Sequence, residues 1–80
     1  MTKDEILFES HDRMSKAVRQ FDGLSIKYGL DLSDSELSRF VKMITSDKIL
    51  MSADDYAVAF KSLHDMWAYD VVVKMVSQIE

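Results

Sequence analysis

"DMWAYDVVVKMV", residues 65–76, decides how many helices this chain forms. Upstream, Tyr56, Phe60, Leu63 and Trp67 recur at i, i+4, i+7 and i+11, the spacing of one buried helix face. Downstream, Ala68, Val71, Val72, Met75, Val76 and Ile79 make an equally regular stripe. At about 100° per residue, the second stripe is rotated from the first by roughly 110°. Either the chain bends near Tyr69-Asp70, with Asp70 capping a short fourth helix, or one long helix buries two faces. A single helix would need a further partner surface, from the first helix or from another subunit. Val71-Val72-Val73 is weak helix material by propensity, so burial is the better reason for it. On balance the pattern favours a kink or break.

Working back from this stretch, Ser52 is an N-cap, with Asp54 and Asp55 in the first turn, where acids suit the helix dipole. "ILM", residues 49–51, is a short extended connector. In "LSDSEL", residues 32–37, Ser33 and Glu36 have the spacing of a capping box. Leu32 and Leu37 occupy the two positions of a hydrophobic staple. Leu37, Phe40, Val41 and Ile44 then form the buried stripe of a second helix, and Ser35 is left with no structural duty.

The first helix opens on a Thr2/Glu5 capping box. Its apolar stripe is Leu7, Met14, Val18, Phe21 and Tyr28, flanked by Ala17 and Leu24. Glu9–Arg13 and Asp12–Lys16 are i,i+4 pairs with the acid first. The stripe keeps its phase through Asp22-Gly23, so the helix continues to Gly29 as its C-terminal cap. The expected fold is a single all-α domain, 1–80. It is a small bundle of three to four helices at about 3–28, 34–45, 53–68 and 70–79, the last two forming one kinked helix in the alternative reading.

The net charge is −4, from 14 acidic and 10 basic residues, and the basic residues are dispersed. A nucleic-acid surface needs a clustered basic face, so no nucleic-acid partner is expected. No apolar run approaches a membrane span, and "MTKDEILFES" carries acids where a signal peptide needs positive charge. A cytoplasmic location, with no membrane contact, is the expectation. The chain has no Cys, so neither a disulfide nor a thiolate metal site reinforces it. At this length, packing or self-association must supply the stability.

No catalytic, metal or cofactor site is expected. His11 and His64 lack the spacing of a metal-binding pair and read as boundary residues. A His–Asp–Ser set would lack a strained turn or an oxyanion loop. "LSDSELSRFVKMITSDKILMSADDYAVAF" resembles a helix-loop-helix of EF-hand type. With Asp55 at the twelfth loop position, however, Ile44 and Ile49 fall where an acid and a Gly are needed, which removes calcium.

Asp34-Ser35, opening the second helix, and the later "MSADDYAVAF" resemble acyl carrier proteins, small acidic helical domains that carry phosphopantetheine on a Ser in an Asp-Ser-Leu motif. That resemblance implies a prosthetic group on Ser35 and a basic partner. The sequence departs from the pattern at Glu36, which replaces the apolar residue, at Leu37, one position late, and in its long first helix.

Phe8 and Ile26 share one phase of the first helix, about 140° from the middle of its main stripe. With Met43, Met66, Val72 and Val76 they make more apolar surface than short helices can cover, and Met suits adaptable contacts. The expected function is therefore non-enzymatic binding of a protein partner, of inhibitor, adaptor or regulatory type. Homodimerisation is one way to cover the surface, and a carrier domain modified at Ser35 is the alternative.

Overall fold

A computed structural model describes residues 2–78. It contains α1 (Lys3–Lys27), α2 (Glu36–Thr45) and α3 (Ala53–Ser77), with no strand among the described residues. The α3 helix runs through Tyr69-Asp70 without interruption, so the expected break is absent and the bundle has three helices. No Gly or Pro interrupts it, and it packs along α1. Ile79 of the second stripe lies outside the described residues.

The α1 and α3 helices run antiparallel. Lys27 meets Asp55 at one end, and the His11 ring meets Tyr69 edge-on towards the other. Each has 25 residues, a length of roughly 37 Å at 1.5 Å per residue. The molecule is correspondingly a rod of 48 × 19 × 19 Å.

Local chemistry sets the ends of α1. The Thr2 hydroxyl accepts from the Glu5 N–H at 3.2 Å, as the opening motif predicts. At the other end the Gly29 N–H reaches the Ile26 carbonyl and the Leu30 N–H reaches that of Ser25, a Schellman motif. It requires the left-handed backbone of Gly29, with φ at 71°. Glu9–Arg13 and Asp12–Lys16 pair on the exposed side.

Gly23 lies inside the helix, and a Cβ there would meet nothing within 4 Å. Gly23→Ala is therefore expected to stabilise the chain by about 0.5–1 kcal/mol, seen as a higher urea midpoint at unchanged slope.

Small residues set the approach of α1 and α3. Ala17, Ser25, Ala59 and Ser62 are all buried. Around them Phe21, Leu24, Phe40, Met43 and Ala59 form the core cluster, with Tyr28, Leu30, Met51, Val58, Leu63 and Met66 packed on it. Every buried residue among those described lies at the α2 end of the rod. No described residue of α1 before Ala17, or of α3 after Ser62, is fully buried. That half is a bare helical pair.

Asp55 ties the closed end. Its carboxylate accepts from Lys27 Nζ at 2.8 Å and from the Tyr28 hydroxyl, while its own N–H donates to the Ser52 cap at 3.1 Å. Hydrogen bonding from Lys27, then from Tyr28, holds the Asp55 carboxyl below its ordinary value of 3.8. The same contact holds Lys27 and Tyr28 above their ordinary values. A carboxylate depressed on folding stabilises fully above its unfolded value, and the contribution fades as pH falls through the folded one. The stability difference between the natural chain and Asp55→Asn is thus expected to be full at neutral pH. It should disappear below the ordinary carboxylate range in urea melts across acid pH.

Candidate functional site

The α2 helix starts later than its sequence motif implies. The Asp31 side chain accepts from the Ser33 N–H at 2.9 Å, and the Asp34 N–H bonds the Asp31 carbonyl. This turn keeps Ser33 and Asp34 out of the helix, so the Ser33/Glu36 capping box does not form. Ser35 is the N-cap instead, its Oγ accepting from the Ser38 N–H at 3.1 Å. The serine that looked free therefore has a structural task.

Arg39 sets the rotation of α2. Its side chain is 3 % exposed, with Nη1 donating to Asp22 at 2.8 Å and to Ser25 at 2.9 Å. Its guanidinium also lies 5.1 Å from the Phe21 ring centre. Holding Arg39 inward turns Phe40 and Met43 into the core. Leu37, Val41 and Ile44, expected to be buried, point outward instead, Leu37 at 66 % exposure.

The first α3 stripe shows a matching displacement. Ala59 and Ser62 take the buried positions, leaving Phe60 58 % and Trp67 65 % exposed, with Tyr56 and Leu63 half-buried.

Two of these outward residues, Leu37 and Trp67, meet across the gap between α2 and α3. Glu36, Leu37, Leu63, Met66, Trp67 and Asp70 line one groove between α2 and α3. Phe60 meets Phe40 edge-on, with ring centres 4.9 Å apart. A second groove shares Glu36, Met66 and Asp70 and continues to Met14 and Val18 of α1. The result is two adjoining grooves, largely apolar, with the carboxylates of Glu36 and Asp70 and the Met66 side chain where they meet.

No family model, curated protein or solved structure matches the chain.

Of the six residues singled out from sequence as partner-binding, only Met66 lines this face. Met43 is 0 % exposed and belongs to the core, so it offers no surface to a partner. Val72 lines a different cleft with Ser10, Arg13, His64 and Tyr69. Val76 is half-buried on the bare half of α3. Phe8 is exposed beside Asp4, Glu5 and Glu9 of its own helix, and Ile26 is exposed near the end of α1.

Leu37, Val41, Ile44, Phe60 and Trp67 are hidden in the sequence because their helical spacing assigns them to the core. One signal was there to find. The α2 apolar residues, counting Phe40 and Met43, cover about half of the helix circumference at 100° per residue, more than one packed face uses.

Among the described residues, no group of His, Asp and Glu side chains is placed to hold a metal ion. His64 lies 3.6 Å from Asp65 on an exposed site. No helix in this range is long and apolar enough to cross a membrane.

Proposed function

We propose that this chain acts by non-enzymatic binding of a protein through the α2–α3 face, in a regulatory or adaptor role. The observation that carries the reading is the exposure of Leu37 and Trp67 in one groove, with Val41 and Ile44 following Leu37 at i+4 and i+7 along α2 and Phe60 seven residues before Trp67 on α3. Single exposed apolar residues are ordinary, but a contiguous patch with a polar rim marks an interaction surface. Trp and Phe bring large, rigid contact area, the usual material of binding hot spots.

A photo-cross-linking side chain introduced at position 67 in the host tests the reading. A discrete protein adduct is expected, absent when the same probe replaces Lys16 on the opposite salt-bridged side of α1. Equal labelling from both positions, or none from position 67, counts against it.

A further inference from the structure

We infer that the occupant of this face is a second copy of the chain, so that the working unit is a symmetric dimer seated on Leu37, Val41, Phe60 and Trp67; this rests on the binding reading above.

The first support is area. The five outward residues are 44–66 % exposed. With aromatic side chains of 150–250 Å² and smaller aliphatic ones, they present on the order of 500 Å² of apolar surface. A standard interface takes about 800 Å² from each partner, of which roughly 56–65 % is apolar, again about 500 Å². The face thus supplies the apolar part of one half of a stable interface.

The second support is the shortage of core. Among the described residues, only Ala17, Phe21, Leu24, Phe40, Met43 and Ala59 are buried apolar residues, and two of these are Ala. The chain has no Cys. Chains of this size commonly complete their burial by oligomerising. A partner that comes and goes would leave the free chain short of a core. A copy of itself is present wherever the chain is, and a two-fold axis lets one patch cover the other.

The third support is continuity. The groove runs on past Met66 to Met14 and Val18, onto the half of the rod that α2 leaves bare. A second copy laid on the face would reach Met14 and Val18 as well, on a side of α1 away from Phe8.

The test uses the full chain. Sedimentation equilibrium from micromolar to millimolar concentration is run beside the emission of Trp67, the only Trp. The expected mass is twice 9.2 kDa, and Trp67 emission should move to the red on dilution in step with dissociation. Trp67→Glu and Leu37→Glu should each weaken dimerisation at least about 30-fold, the effect of losing a hot-spot side chain, whereas Phe8→Glu should not. If a Glu variant fails to fold, the dilution series on the natural chain still decides.

A 9.2 kDa species at millimolar concentration, with Trp67 emission independent of concentration, overturns the dimer. So does a dimer indifferent to both Trp67→Glu and Leu37→Glu. A monomer whose position 67 still cross-links to a different protein removes self-pairing and leaves the binding reading standing. A monomer that cross-links to nothing removes both.

Discussion

Phe21→Ala is expected to lower the unfolding free energy by about 3–5 kcal/mol, measured by urea denaturation. Phe21 is 0 % exposed at the centre of the cluster that joins all three helices, with the Arg39 guanidinium above its ring. Truncation would leave a cavity walled by Leu24, Phe40, Met43 and Ala59, on helices whose approach is already set by small residues. Such walls relax little, and Arg39 would lose the ring beneath its charge. A chain of this length commands roughly 4–12 kcal/mol in total, so the loss is a large share of its stability.

Phe60 offers the internal comparison. Its stripe alone would place it in the core with the same loss, but at 58 % exposure Phe60→Ala gives up chiefly the edge-on contact with Phe40. That loss is expected near 1 kcal/mol. Equal losses at the two positions would mean that α3 sits rotated from the arrangement described.

The second large effect concerns the Arg39–Asp22 pair. Asp22→Ala is expected to cost about 3 kcal/mol, because it leaves a buried guanidinium without its close carboxylate, the Ser25 hydroxyl alone remaining within hydrogen-bond distance. Glu36 at 3.8 Å compensates weakly, and Arg39 Nε already has no hydrogen-bond partner. Arg39→Met should cost far less. It removes the buried charge, keeps an unbranched chain over Phe21, and leaves Asp22 39 % exposed at its side chain, where water can solvate it. Ser25 Oγ keeps its bond to the Phe21 carbonyl at 2.9 Å. Thermal melts of Asp22→Ala, Arg39→Met and the double variant check this. The double variant should recover most of the Asp22→Ala loss. A double variant as unstable as Asp22→Ala alone would refute the buried-charge account.

That ion pair also explains why the face was hidden in the sequence. The helical class, the course of α1 past Gly23 to Gly29, and the Thr2 and Ser52 caps were all legible, because each depends on neighbours within about four residues. What went unread depends on contacts across the fold. Arg39 looks like a surface residue until Asp22 and Ser25 are brought to it, and its burial turns the α2 stripe outward. In α3 the seam with α1 is made by Ala59 and Ser62, which carry little hydropathy, so the larger Phe60 and Trp67 dominated the periodicity. The start of α2 failed for a smaller reason. Asp31 captured the Ser33 N–H first. Val71-Val72-Val73 suggested a break by propensity, yet pairing with α1 outweighs a penalty of a few tenths of a kcal/mol per residue.

The antiparallel course of α1 and α3 has a consequence for how the chain reaches this shape. Lys27 and Asp55 are separated by 28 residues, whereas His11 and Tyr69 are separated by 58, from 69 − 11. Closing the longer loop directly costs only about 0.6 kcal/mol more, since loop entropy grows with the logarithm of length. The shorter closure, however, also gathers Phe21, Phe40, Met43 and Ala59, the contacts that reward it at once. Each later turn then pairs with a neighbour already in place, so distant residues meet without a distant search. Folding is therefore expected to start near Asp55 and to run like a zip towards the open end of the rod, with φ-values higher around Phe21 and Ala59 than around Tyr69.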